Sequence, residues 1–193
     1  AGLIVPLMFL IIFAIIALTF RSMLQAAIVF ITIPFGFIGV AWGHFIHDQA
    51  ISLLSMYGVL ALVGIMINDS LVLVTAMNIL LKDGKSFMEA LYQAGLSRFR
   101  PIVLTSITTI AGLGPLILET SFQARFLIPM AISVAYGLGV ATFLTLIILP
   151  VLIASVNQTR RFAIWFWNDV RLAPEKLEPA YQELQADIEE KQG

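Results

Sequence analysis

Long uncharged stretches alternate along the chain with short polar ones. Five of the uncharged stretches come close to or exceed the ~20 residues that a helix needs to cross a bilayer. They predict helices over about residues 1–20, 23–43, 52–81, 101–118 and 127–157. Because only Arg21 and Ser22 separate the first two, we expect those helices to be antiparallel neighbours. The pattern predicts an all-α membrane protein, a bundle of five transmembrane helices over residues 1–159.

Two polar segments predict elements outside the bundle. The segment from Lys82 to Arg100 is charged, and its apolar residues fall on one helical face, which predicts a surface helix over about 86–97. Past Asn157, Arg160 and Arg161 are followed by several aromatic residues, a mixture typical of the lipid headgroup surface. Residues 160–193 are therefore predicted to form a cytoplasmic amphipathic segment and a polar tail beside the lipid bilayer.

The distribution of Lys and Arg predicts the orientation. Of the 11 such residues, only Arg125 falls in the connections near His44 and Glu119. Lys and Arg are enriched in cytoplasmic connections, so the C-terminus is predicted to be cytoplasmic and Ala1 to start on the opposite face. The chain begins inside an apolar run without Met, and we expect it to be a piece of a longer protein whose preceding part includes an extracytoplasmic domain.

Composition removes several classes of function. The chain is 60% hydrophobic and 12% charged, against about 25% charged residues in soluble domains. A net charge of -1 and the lack of a basic run argue against a nucleic-acid partner. The absence of cysteine excludes disulfides and thiol chemistry. His44, His47 and Asp48 are a weak metal-ligand set, and we expect these histidines to face water.

Small residues predict where helices approach each other. Gly39 and Gly43 have the four-residue spacing that permits close contact between membrane helices. Ala131, Ala135 and Gly139 repeat this spacing in the fifth predicted helix. We therefore expect close packing on one face of the second helix and a central position for the fifth.

Asp69 is the candidate functional residue. It is the only formally charged residue between Gln49 and Leu81, and at 1.5 Å per residue it would lie roughly 20 Å from Lys82. An ionised Asp at mid-bilayer costs about 2.5–3.5 kcal/mol, so its neutral form competes with its charged form. Asn68 and Ser70 can orient the carboxyl or a water. Asp69 is thus a candidate proton carrier, and the alternative is a hydrogen bond that only holds helices together.

Hydroxyl groups cluster in the fourth predicted helix. Thr105, Ser106, Thr108 and Thr109 lie within little more than one turn. Hydroxyls in membrane helices often bond to carbonyls of their own helix. The two interpretations are such local bonding and a hydrated polar stripe facing Asp69.

Several sequence blocks together resemble one transporter family. The blocks run from Leu62 to Val74, from Lys82 to Gly84, from Arg98 to Ser106 and from Gly112 to Leu116. Their order resembles the last five transmembrane helices of resistance-nodulation-division (RND) efflux pumps, in the branch that exports hydrophobes and amphiphiles. The resemblance covers roughly residues 2–161.

The resemblance implies a secondary active transporter rather than an enzyme. It implies a proton-driven antiporter in the bacterial inner membrane that uses the proton motive force and no cofactor. It also implies a homotrimer that exports drugs or other amphiphiles together with a periplasmic adaptor and an outer-membrane channel. The proton site of such pumps joins this half of the protein to two acidic residues of the N-terminal half, which would be a further partner.

The resemblance also assigns roles by position. Asn68 stands where many drug exporters have Lys, and Asp69 stands where they have Asn. Arg98 corresponds to a basic residue near the cytoplasmic water access, and Thr105 to a relay hydroxyl. Without the Lys, no positive side chain compensates the acids, so the resemblance implies altered proton wiring at this site.

Three alternatives remain beside drug export. The first is an RND-like exporter of lipids or another non-drug substrate, and the second is a non-catalytic membrane scaffold. The third, an intramembrane protease, needs two carboxylates or a nucleophile with a base. The predicted membrane interior offers only Asp69 and no such base, which disfavours a protease.

Overall fold

The structure is helical throughout its described part. This computed structural model describes the backbone of residues 4–168 and 172–192 and the side chains of 6–167 and 172–190. Within these ranges there is no β-strand, and the elements are α1 (Ile4–Phe20), α2 (Met23–Ile46), α3 (Leu53–Lys82), α4 (Phe87–Ile117), α5 (Ile128–Asn168) and α6 (Pro179–Gln192), with 3-10 turns at Ala124–Phe126 and Pro174–Leu177. The predicted all-α class is confirmed.

Four helices are long and apolar enough to cross a membrane. These are α2, α3, α4 and α5. The apolar α1 is shorter, with 17 residues, and residues 1–3 of the predicted first helix lie outside the described part of the chain. The structure therefore confirms four of the predicted spans as candidates, while the count of five stays a prediction.

The predicted break between a surface helix at 86–97 and a membrane helix at 101–118 is wrong. The single helix α4 covers both segments, and Pro101 lies inside it. Proline removes one intrahelical hydrogen bond, and its ring crowds the carbonyl four residues earlier. The helix nevertheless continues through Pro101, with buried apolar residues before and after it at Ala94 and Ile102.

Two other helices extend beyond their predicted ends. Helix α5 continues from the predicted end near 157 to Asn168, so the change of composition at Arg160 does not end the helix. Helix α2 continues to Ile46 and includes His44.

Turns at Arg21, with φ of 50°, and at Gly84, with φ of 81°, reverse the chain after α1 and α3. Glycine suits the second turn because it adopts positive φ without a Cβ penalty.

The helices contribute to two compact units. The first comprises Ala1–Phe30, Leu71–Arg98 and Leu149–Gly193. The second comprises Ile31–Ser70 and Phe99–Ile148. Within the first unit, the rings of Phe13 and Phe30 lie edge to face with centroids 5.2 Å apart, which places α1 beside α2.

Glycines of α2 lie directly against α5 in the second unit. A Cβ added to Gly39 would lie 2.3 Å from the carbonyl oxygen of Tyr136, and one added to Gly43 would lie 2.7 Å from the Tyr136 Cβ. A Cβ on Gly137 would meet the Leu62 side chain of α3 at 2.3 Å. The predicted close contact at Gly39 and Gly43 is therefore confirmed.

His44 does not face water, contrary to the sequence-based expectation. Its side chain is buried, with Nε2 2.7 Å from Ser55 Oγ and Nδ1 3.0 Å from the carbonyl oxygen of Val40. His47 contacts the hydroxyl of Tyr136 through Nε2 at 2.9 Å. Each imidazole thus has a hydrogen-bond partner inside the second unit, which explains why the helix extends past the predicted polar connection.

The C-terminal strap, residues 172–192, packs on other parts of the first unit. The Glu175 carboxylate accepts a hydrogen bond from the backbone N–H of Phe87 at the start of α4, at 2.9 Å. Arg160 and Arg161 donate to the carbonyl oxygens of Leu177 and Leu172. The sequence analysis predicted a polar tail here, and the structure shows that hydrogen bonds hold this tail to α4 and α5.

We expect acidification to weaken the docking of the strap through Glu183. Lys82 Nζ lies 2.6 Å from Glu183 Oε2 and Arg21 Nη1 lies 3.1 Å from Oε1. The hydrogen bond and charge of Lys82, followed by the charge of Arg21, hold the pKa of Glu183 below its ordinary value of 4.5. The stabilisation is thus fully present above pH 4.5 and is lost as the pH falls through the lowered pKa.

Amide hydrogen exchange of the strap, corrected for its intrinsic pH dependence, measures this loss. The Glu183→Gln variant is the control, because it lacks the titrating carboxylate. We expect the native protein to gain exchange on acidification, relative to this variant. An identical pH dependence of exchange in both proteins would contradict the prediction.

Candidate functional site

Asp69 lies in the interior of the second unit. Its residue surface is only 8% exposed, although it sits in the middle of the apolar helix α3. No hydrogen bond or ion pair joins its carboxylate to any side chain or backbone group that the structure describes. The buried position agrees with the sequence analysis, and the lack of a cationic partner leaves the carboxylate without a fixed counter-charge in these residues.

The two neighbours of Asp69 lie in different surroundings. Asn68 is exposed on the same helix. One turn earlier, a Cβ added to Gly64 would meet no atom within 4 Å. Ser70 is fully buried, and its hydroxyl has no hydrogen-bond partner among the described residues. An unpaired buried hydroxyl has free donor and acceptor capacity for a water or another polar group.

Hydroxyls of α4 mostly bond to their own helix. Thr105 Oγ1 donates to the carbonyl oxygen of Pro101 at 2.9 Å, and the side chains of Thr108 and Thr109 donate to carbonyl oxygens one turn earlier. This is the local bonding that the sequence analysis gave as one alternative. Thr105 is also exposed in this chain, so its hydroxyl can exchange its intrahelical bond for another partner.

Ser106 also bonds to its own helix, at the carbonyl oxygen of Ile102 3.0 Å away, but it differs from the others because it joins two helices as well. Its hydroxyl lies 2.6 Å from the hydroxyl of Thr142 on α5, and both residues are buried. Thr145, one turn further along α5, is buried with a hydroxyl that has no partner among the described residues. The polar interior of the second unit thus includes hydroxyls from α3, α4 and α5.

The sequence analysis missed the contribution of α5 to this interior. The available signal was the three-residue spacing of Thr142 and Thr145 in an otherwise apolar helix, which places both on one face. Burial of both side chains shows that this face is directed into the protein.

Arg98 belongs to the first unit, unlike the other predicted site residues. Its guanidinium Nε is buried and has no hydrogen-bond partner among the described residues. A buried guanidinium N–H without an acceptor is unfavourable and so favours a carboxylate, a carbonyl or water as its partner. Asn68, Asp69, Ser70 and Thr105 all lie in the second unit.

The chemistry that these residues can perform is proton handling. The described side chains include no group of three or more His, Asp or Glu residues arranged to hold a metal ion. The buried Asp69 can exist with or without a proton, and the two forms differ by one full charge in an apolar interior. Buried hydroxyls can donate to the charged form and accept from the neutral form.

The chain is similar to known resistance proteins. The chain is 28% identical over 155 residues to the multidrug resistance protein MdtC of Erwinia amylovora, which covers 80% of this chain and 15% of MdtC. It is 30% identical over 149 residues to the cobalt-zinc-cadmium resistance protein CzcA of Cupriavidus metallidurans, covering 77% of this chain and 14% of CzcA. The chain therefore spans about one seventh of the length of these relatives.

A solved structure shares the fold. The crystal structure of a heavy metal efflux pump superimposes with a TM-score of 0.74 and 24% identity, over 81% of this chain and 16% of that pump. Residues 1–157 match the family described as AcrB/AcrD/AcrF. The RND resemblance found in the sequence is thereby confirmed at the level of the family, while the relatives include both drug and metal resistance proteins. This chain belongs to the AcrB/AcrD/AcrF family.

Proposed function

We propose that the chain is a membrane segment of a proton-driven efflux antiporter and that Asp69 belongs to its proton relay. The observation that carries the proposal is a buried carboxylate in a membrane helix with no ion-pair partner among the described residues. Ionisable groups in that position are rare and usually functional. Family membership supports secondary transport rather than catalysis.

The mechanism follows from the charge of Asp69. When the carboxyl is ionised, it attracts water and hydrogen-bond donors, for which the unpaired hydroxyl of Ser70 is available. When it is protonated, this attraction falls and the helices repack. Asn68 lies beside it on the exposed side of α3, where an acidic or polar group of another segment can approach. Thr105 and Arg98 then act as relay hydroxyl and as the basic residue near the cytoplasmic water access.

The available energy argues for more than one proton in the switch. One proton crossing 100 mV with a one-unit pH difference supplies about 3.7 kcal/mol. Changing a two-state population from 1:99 to 99:1 requires about 5.5 kcal/mol. A single proton at that gradient therefore falls short, so Asp69 acts with further acids, for which the N-terminal half of the same pump is the proposed source.

The proposed architecture completes the transporter. Five helices cross the bacterial inner membrane, the C-terminus is cytoplasmic, and three copies assemble with a periplasmic adaptor and an outer-membrane channel. The proton motive force supplies the energy without a bound cofactor. Four apolar helices of sufficient length and the likeness to multi-pass pumps support this arrangement.

The proposed substrate is a drug or another amphiphile. The likeness to MdtC and the sequence blocks of α3 and α4 support it. The likeness to CzcA favours a second candidate, a divalent metal ion, as the exported substrate. An exporter of lipids or another non-drug substrate would use the same proton relay on α3, whereas a non-catalytic scaffold needs no proton relay.

A reconstituted transport assay tests the proposal. The full-length protein is placed in liposomes, a proton gradient is imposed, and movement of a cationic amphiphilic dye, of Zn²⁺ and of protons is followed. We expect dye transport that requires the gradient and is abolished by a protonophore. Gradient-dependent Zn²⁺ transport without dye transport would overturn the amphiphile assignment, and no substrate-coupled proton flux with dye or Zn²⁺ would overturn antiport.

A further inference from the structure

Glu178 of the C-terminal strap is a buried carboxylate that no step of the proposed mechanism uses. The residue is only 5% exposed and lies between the 3-10 turn Pro174–Leu177 and helix α6. Acidic residues are almost never fully buried unless they are paired. The position therefore requires partners that compensate the charge.

Both carboxylate oxygens of Glu178 accept hydrogen bonds from side-chain amides. Gln25 Nε2 of α2 donates to Oε2 at 3.0 Å, and Asn157 Nδ2 of α5 donates to Oε1 at 2.8 Å. Each of these two residues is 3% exposed. Asn157 also donates to the carbonyl oxygen of Pro174 at 3.0 Å, so the same amide holds the strap at two points.

The contact continues from Gln25 to α3. Gln25 Nε2 donates to Asn78 Oδ1 at 3.2 Å, and Asn78 Nδ2 donates to Gln25 Oε1 at 3.1 Å. This reciprocal pair orients the Gln25 amide so that its remaining donor capacity is directed at Glu178. The carboxylate of the strap is thereby connected through one side chain to the helix that carries Asp69.

A second contact holds the same helix near its end. Lys82, the last residue of α3, pairs with Glu183 of the strap at 2.6 Å. This ion pair is partly exposed and contributes less than a buried one. Glu178 is therefore the stronger attachment, because releasing it would remove one acceptor from each of the buried amides of Gln25 and Asn157.

We propose that Glu178 is a positioning residue that holds α3 in place through Gln25 and Asn78 and thereby sets the protonation behaviour of Asp69. The inference rests on the proposed function of Asp69. It differs from the relay itself because Glu178 touches neither Asp69 nor a substrate among the contacts described. The carboxylate of Glu178 and the amides that donate to it are satisfied together when the strap is docked.

Two measurements on the full-length protein test the inference. The first follows the pH dependence of proton-coupled export together with the infrared carboxyl band of Asp69. Glu178→Ala removes both acceptors, and we expect it to move both midpoints by about one pH unit or more. Glu178→Gln keeps the shape and one acceptor, and we expect it to restore most of the native profile. Glu189→Ala is the matched control, because Glu189 is an exposed acidic residue of the same strap, in α6, without a partner among the described residues.

The second measurement is hydrogen exchange of the amides near Asn78. We expect Glu178→Ala to raise their exchange about tenfold or more while Glu189→Ala leaves it unchanged. Unchanged exchange in Glu178→Ala would overturn the attachment of α3. Raised exchange with unmoved export and infrared midpoints would overturn the positioning role. Failure of the proposed relay would give a different result. Asp69→Asn would then keep full proton-coupled export, while Glu178→Ala would still raise the exchange of the amides near Asn78.

Discussion

Replacing Asp69 with Asn in the full-length protein is expected to reduce proton-coupled export by about tenfold or more, to the level left by a protonophore. Asn has nearly the same shape and can still form hydrogen bonds, but it cannot take up and release a proton at cellular pH. The variant therefore removes proton exchange at this position and keeps the volume of the side chain. Export of the dye under an imposed gradient, measured per folded protein, gives the result.

Stability separates this effect from misfolding. The Asp69 carboxylate is buried without a cationic partner in the described residues, and an ionised Asp in a membrane helix costs about 2.5–3.5 kcal/mol. Asn lacks that charge, so Asp69→Asn should be at least as stable as the native protein. Asp83→Asn is the matched control, since Asp83 is exposed after the end of α3 and should keep full export. Normal export by a well-folded Asp69→Asn variant would favour the scaffold.

The pattern of apolar residues predicted the helices but misjudged some ends. Helix α3 was predicted at about 52–81 and is observed at Leu53–Lys82. Its C-terminal end was predictable because charged residues follow it immediately in the sequence. Helix α4 was predicted as two elements because charge and Pro101 interrupt its apolar pattern. The continuity of the helix through that interruption depends on tertiary context, which local sequence rules do not include.

The burial of Asp69 was predictable because no other charged residue lies nearby in the sequence. The hydrogen bonds in its surroundings were less predictable. The link between Ser106 and Thr142 joins residues 36 positions apart, and neither position signals its partner. The strap is similar, since Glu178 looks like one more charge in a polar tail until Gln25 and Asn157 are brought to it. Pairings of this kind arise from tertiary packing, whereas helices arise from local periodicity.

Gly39→Leu is expected to disrupt the packing of α2 on α5 and to lower the stability of the full-length protein by about 3 kcal/mol or more. Even a Cβ at Gly39 would lie 2.3 Å from the carbonyl oxygen of Tyr136 and 2.9 Å from the Cα of Gly137. Both contacts are backbone atoms, so no side-chain rotation relieves them and the two helices must separate.

The matched control for this variant is Gly95→Leu in α4. A Cβ at Gly95 would meet nothing within 4 Å, and replacing a helical glycine raises helix propensity by up to about 1 kcal/mol. Denaturant or thermal unfolding of the purified proteins should therefore show a large loss for Gly39→Leu and little change or a gain for Gly95→Leu. Equal stability of the two variants would mean that α2 and α5 are not in backbone contact at Gly39. Because Gly39 also lies in the unit that contains Asp69, separation of the helices would admit water to the polar interior, and we expect export to fall together with stability.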